Sequence, residues 1–137
     1  MQKVIIDTNV IVSSLIQKSF PYKIVHELFV ENKIILCVSE ALMMEYYHVL
    51  RRPKFAVYYD FMARAEALLT DIGAKSTMYI PVISLNMISD KDDNKILELA
   101  DVCEADYIIT GNTNDFTFPS YKSTQIVNPR NYWLICQ

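Results

Sequence analysis

Lys3-Val4-Ile5-Ile6-Asp7-Thr8-Asn9 is the stretch on which the fold turns. It is a short, β-branched apolar run that stops abruptly at a carboxylate. The run is too short for a buried helix and is bounded by polar residues, so it predicts a central strand. A strand without polar alternation is covered on both faces, which favours a parallel sheet inside an α/β domain. Ligands of such sheets sit beyond the carboxyl ends of the strands. Asp7 lies at that end, and Thr8 and Asn9 can orient it or cap a following helix. Alone, Asp7 is as readily a helix cap as a site residue. The question is which other acids could converge on it.

The bulk composition narrows the field. The chain has 137 residues, 52% of them apolar, enough for one domain over residues 1–137 with a sizeable core. Only two glycines occur, which excludes glycine-rich phosphate loops. The net charge of −3 is not the footprint of a strongly basic nucleic-acid binder. A nucleic-acid substrate would need a local basic patch or metal ions to offset the acids. Cys37, Cys103 and Cys136 are odd in number and lack metal-ligand spacing, which suits reduced thiols in the cytoplasm. No signal peptide or membrane-length apolar stretch is expected, so a soluble cytoplasmic protein is.

Further along, Val10–Ile16 predicts a helix, broken at Phe20-Pro21 and followed by a second helical pattern at Ile24, Val25, Leu28 and Phe29. Ile34–Val38 predicts a second strand, with Ser39 as N-cap of a helix from Glu40 towards Arg52 that Pro53 ends. On that helix Glu45 shares a face with Ala41, Leu42 and Val49. A carboxylate on an apolar stripe is costly unless paired or bound to a cation. At the stripe's edge it would instead reach solvent or pair with Arg52 or Lys54. Glu45 and His48 also have di-iron-bundle spacing, but such bundles need two copies on facing long helices.

Phe55–Asp71 predicts another helix, with Gly73 as its stop, and Thr77–Ile80 a strand kept from the sheet centre by Pro81. Ser89–Lys95 opens a helix whose apolar face is Ile96, Leu97, Ala100 and Cys103. Acids suit a helix N-terminus. Asp90, Asp92 and Asp93 exceed what capping needs, and a divalent cation would relieve their repulsion. The spacing does not fit an EF-hand. Tyr107-Ile108-Ile109 repeats the opening pattern, ending in Thr110-Gly111-Asn112. Ser123–Val127 predicts the last strand, Asn128–Arg130 a turn and Tyr132–Ile135 a short terminal segment.

These pieces, in this order, resemble the PIN domain family, particularly the toxin components of bacterial toxin–antitoxin pairs related to VapC-like ribonucleases. The matching segments are residues 4–9, Glu45, Asp93–Ala100, Ala105–Asn112 and Ile126–Arg130, which together span nearly the whole chain. The resemblance implies a three-layer α/β/α sandwich around a parallel sheet. It matches Asp7, Glu45 and Asp93 to the family's catalytic acids, which hold Mg²⁺ or Mn²⁺. The family's fourth acid usually follows the Thr-Gly pair, where this chain has Asn112. An amide is neutral and a weaker ligand for a hard cation, so Asp115 is the substitute expected first, with Asp90 or Asp92 behind it. Thr8, Asn9, Thr110 and Asn112 would support the site through hydrogen bonds.

The implied activity is metal-dependent endonucleolytic cleavage of single-stranded RNA, with a small antitoxin as partner and a homodimer as assembly. Arg51, Arg52 and Lys54, beside several tyrosines, would contact RNA or a protein partner. The competing readings are a catalytically weakened PIN-like interaction module, a receiver domain and a haloacid-dehalogenase-like phosphatase. A receiver domain expects paired acids well ahead of its phosphoacceptor strand, and nothing acidic precedes Asp7. The phosphatase lacks Asp-x-Asp, because position 9 is Asn.

Overall fold

The computed structural model describes residues 1–137 apart from 86–90, 113–115, 117 and 137, and the side chains at 91 and 92. Asp90, Asp92 and Asp115 as candidate ligands therefore lie outside the described residues.

Strand β1 (Lys3–Ile6) leads into helix α1 (Thr8–Ile16) and the short α2 (Phe20–Tyr22). Lys23–Phe29 continues as a π-helical segment, marked by the Val30 amide donating to the Val25 carbonyl. Then come β2 (Ile35–Val38) and α3 (Glu40–Leu50). Ser39 caps α3 as expected, its hydroxyl accepting from the Leu42 amide. The remaining elements are α4 (Phe61–Lys75), β3 (Thr77–Met78), α5 (Lys91–Cys103), β4 (Tyr107–Ile109), β5 (Ser120–Tyr121), β6 (Thr124–Val127) and α6 (Pro129–Ile135).

The sheet order is β3-β2-β1-β4-β6-β5. Every neighbouring pair is parallel except β5 with β6. The successive residues Val4, Ile5 and Ile6 point to alternate faces, and all three are buried, so both faces are covered. This is the three-layer α/β/α sandwich. Each fully buried aliphatic of β1 contributes about 1.5–3 kcal/mol by leaving water.

The topology places the candidate site. The chain leaves β1 towards β2 and β3 on one side, then returns to β4 on the other. The strand order thus reverses at β1 and β4, where open α/β sheets form their crevice. The register pairs Ile6 with Ile109, so Asp7 and Thr110 are the next residues on two adjacent parallel strands.

Four local expectations change. The helix expected over Phe55–Asp71 is split into a 3₁₀ turn (Pro53–Val57) and α4. Asp60 lies between them with a left-handed φ of 56°, a conformation that aspartate tolerates better than most residues. Gly73 does not stop α4, which runs on to Lys75 before Ser76 turns extended. Asn128–Arg130 is not a free turn but the capped start of α6, with the Asn128 side chain accepting from the Asn131 amide at 2.8 Å. Pro129 sits in the first turn, where no amide is missed. The strand expected at Thr77–Ile80 shortens to two residues at the sheet edge, in keeping with Pro81.

Candidate active site

Asp7 occupies the N-cap position of α1, but its carboxylate does not cap. Its main-chain carbonyl takes the first helical amides, from Val10 and Ile11. The carboxylate turns instead to β4, where the Thr110 hydroxyl donates to Asp7 Oδ2 at 2.7 Å. The same hydroxyl accepts from the Asn112 amide at 3.0 Å, so Asp7, Thr110 and Asn112 form one hydrogen-bonded chain. Asn9 joins from α1, its side-chain oxygen accepting from the Gly111 amide.

Asp7 is only 5% exposed. Burial pushes its pKa above the ordinary aspartate value, and the nearby Glu45 pushes the same way. The Thr110 hydrogen bond and the Lys95 charge pull against that rise without cancelling it. A carboxylate held in this way takes up positive charge readily.

Glu45 stands differently from the expectation that it lies within a buried stripe. The buried line of α3 is Leu42, Tyr46 and Leu50, while Ala41 is exposed and Val49 only half-buried. Glu45 is at the stripe's edge, with its side chain 24% exposed. It pairs with neither Arg52 nor Lys54, among the described contacts, but with Lys95 of α5, whose Nζ is 2.6 Å from Oε1. The Thr8 hydroxyl donates to the other oxygen, Oε2. Tyr46, one residue on, fixes α3 against the sheet by donating its phenol to the Ile6 carbonyl at the end of β1.

These side chains surround a cavity of about 410 Å³. Its polar wall is made by Asp7, Thr8, Asn9, Ser13, Glu45, Asp93 and Asn112. Its apolar wall includes Val12, Val49 and Phe55. The three acids read from the sequence are thus brought to one cavity by three elements: the end of β1, the middle of α3 and the start of α5. Among the described residues, no three His, Cys, Asp or Glu side chains are already closed around a single point. The donor set is nevertheless the hard oxygen kind that suits Mg²⁺ or Mn²⁺. Asp7 and Glu45 bring charge, and Asn112 brings a neutral amide.

Arg51, Arg52 and Lys54 lie outside the wall of this cavity. Arg51 is engaged twice over, by a two-pronged pair with Glu66 at 2.8 and 3.1 Å and by stacking on Tyr47 at 4.7 Å. Lys54 lies over Phe55. His48 is exposed and His26 packs on Tyr22 at 4.6 Å, so neither histidine faces the acids. Cys37, Cys103 and Cys136 are free thiols.

Lys95 is the site residue that sequence reading passed over. Its only signal was position: two residues after Asp93 on a helix, it faces away from that acid. Nothing local indicated that it would meet Glu45, fifty residues earlier.

Among the described residues no helix is long and apolar enough to cross a membrane. The architecture superimposes on the crystal structure of VapBC2 from Rickettsia felis bound to a DNA fragment from their promoter, with a TM-score of 0.58 at 15% identity. The match covers 92% of this chain and 98% of that one. At this identity the likeness is one of fold. The chain is also 36% identical over 110 residues to the uncharacterized protein MJ1680 of Methanocaldococcus jannaschii, which covers 80% of this chain and 70% of the relative. The PIN domain model matches residues 3–114, a span that includes Asp7, Glu45, Asp93 and Asn112. The chain belongs to the PIN domain family.

Proposed function

We propose that this protein is a metal-dependent ribonuclease that cleaves single-stranded RNA internally, and that it acts as the toxin of a toxin–antitoxin pair in the cytoplasm. The observation that carries the proposal is the convergence of Asp7, Glu45 and Asp93 on one cavity at the strand-order reversal. Asp7, Glu45 and Asp93 would hold Mg²⁺ or Mn²⁺, with Asn112 as a neutral fourth donor and Asp115 and Asp90 as further candidates. When bound, such an ion acidifies water, orients a phosphodiester and neutralises charge in its displacement.

The chain's own residues prepare that chemistry. Thr110 holds the Asp7 carboxylate in one orientation and Thr8 does the same for Glu45. Asn9 and Asn112 line the cavity and offer it hydrogen-bonding amides. A carboxylate in the cavity can also accept a proton from attacking water, and burial of Asp7 raises its basicity for that role. Phe55 gives the cavity an aromatic wall on which a base could stack. Arg51, Arg52 and Lys54 are then contacts for RNA further along or for a partner. A small antitoxin and a homodimeric assembly follow from the family likeness, and the VapBC2 fold supports the former.

The experiment is cleavage of end-labelled single-stranded RNA by wild type and Asp7→Asn, with Mg²⁺, with Mn²⁺ and with chelator. Cleavage that requires metal and vanishes in the variant is expected. Equal cleavage by both proteins would overturn the assignment. Asn112 favours a second reading, a PIN-like interaction module whose site is too weak to hydrolyse RNA. It predicts partner binding with no cleavage even in Mn²⁺.

A further inference from the structure

We propose that the Lys95 ammonium serves as a built-in second cation of this site, so that the protein takes a single divalent ion. The inference rests on the metal-dependent reading above and goes beyond it by assigning stoichiometry and a role for Lys95.

Three observations carry it. The first is contact: Lys95 Nζ lies 2.6 Å from Glu45 Oε1, and both side chains are largely withdrawn from solvent, at 18% and 24% exposure. The second is direction. Asp93 lines the cavity shared with Asp7, whereas Lys95 lines a neighbouring cavity of about 420 Å³ with Ser39, Glu40, Met78 and Glu98. Residues two apart on a helix face different ways, so α5 presents an acid on one side of Glu45 and an ammonium on the other. The ammonium thus meets Glu45 from the neighbouring cavity without lining the first. Each carboxylate oxygen has a second lone pair, so Glu45 can hold Lys95 and Thr8 and still ligate an ion.

The third observation is charge. Among the described residues of the first cavity, Asp7, Glu45 and Asp93 supply three carboxylates and Asn112 no charge, and Lys95, which shares its own cavity with Glu40 and Glu98, sets one positive charge against Glu45. One divalent cation neutralises that set, and a second would overcharge it. A hard cation needs oxygen ligands and charge balance, and the described set offers both for one ion.

The test is Mn²⁺ binding to the full chain, counted by the electron paramagnetic resonance of free Mn²⁺. Wild type and Lys95→Arg are expected to bind one ion, and Lys95→Met two, or one at least tenfold more tightly. Two ions in wild type, or identical binding in wild type and Lys95→Met, would overturn the inference and leave the metal-dependent reading standing. No Mn²⁺ binding in any protein would overturn that reading as well. A second measurement needs no variant: nitrogen-15 resonance of the Lys95 ammonium during Mg²⁺ titration. Retention of the Glu45 hydrogen bond at saturation is expected, and its loss would show that the ion displaces Lys95 and would sink the proposal.

Discussion

Glu45 meets Lys95 through one contact of 2.6 Å, and Glu66 meets Arg51 through two, at 2.8 and 3.1 Å. By hydrogen-bond geometry the second pair is the better made, since a guanidinium grips a carboxylate with two parallel bonds. By environment the order reverses. Arg51 and Glu66 are each more than half exposed, whereas Lys95 and Glu45 are mostly covered. Water screens the Arg51–Glu66 pair until it is worth little, while the covered Lys95–Glu45 pair feels its partner strongly. The difference teaches why α3 carries two acid–base contacts of different kinds. The contact at its end joins two surface helices. The contact at its middle sets an ammonium against a carboxylate that lines a cavity.

The largest effect expected from breaking this contrast is on cleavage. Replacing a carboxylate on the cavity side, as in Asp7→Asn or Glu45→Gln, should lower metal-dependent RNA cleavage by at least about 100-fold, beyond the range seen for outer partners of metal sites. Glu66→Gln should leave the rate unchanged. A single-turnover assay in Mn²⁺ checks both, and equal losses would erase the distinction.

One step out from the acids, Thr110→Val removes the hydroxyl that orients Asp7 but keeps the shape of the side chain. Mn²⁺ affinity should fall by about 10–100-fold, the usual cost of losing an outer partner. Calorimetric titration reads this without reference to turnover.

Stability comes next in size. Lys95→Met leaves a mostly covered carboxylate short of a charged donor and should cost about 1–2 kcal/mol in the presence of chelator, measured by urea unfolding. Arg51→Ala should leave the unfolding midpoint essentially where it was. A larger loss at Arg51 than at Lys95 would mean that bond geometry outweighs burial in this protein.

The smallest effect is a pH dependence. Burial raises the Asp7 pKa in the folded protein above its unfolded value. Such a group favours the fold most when protonated, so its contribution is complete below the unfolded pKa and is lost as pH rises through the folded one. Asp7→Asn, which cannot ionise, should therefore unfold at higher temperature than wild type at pH 7 in chelator. The gain should shrink on acidification. A gain that grows on acidification would show that Asp7 is net stabilised as the anion.

Much of this was legible in the chain itself. The unbroken apolar runs at Val4–Ile6 and Tyr107–Ile109 announced strands covered on both faces, and both are. Ser39 and Pro53 bounded α3 from local rules alone. The face of Glu45 was harder to read. Helical periodicity names residues that lie on one side, but Ala41 and Val49 contribute too little bulk to decide which side is driven inward. Tyr46, with its large ring and its bond to the Ile6 carbonyl, draws the buried line past Glu45 to Leu42 and Leu50. Gly73 misled because a glycine stops a helix only where the chain must turn left-handed, and α4 passes through it without doing so.

The sequence by itself determined the central strands, most of the helices and the identity of an acid at the end of β1, because hydrophobic period and capping act between neighbours in the chain. Tertiary structure alone decided where the acids look and what meets them. Asp7 meets Thr110 across 103 residues, and Glu45 meets Lys95 across 50. Such meetings depend on the order and register of a sheet, which local residue preferences do not encode. In this fold the parallel pairing of β1 with β4 brings Asp7 against Thr110, and the packing of α5 beside α3 turns a lysine with no local mark towards the carboxylate that needs it.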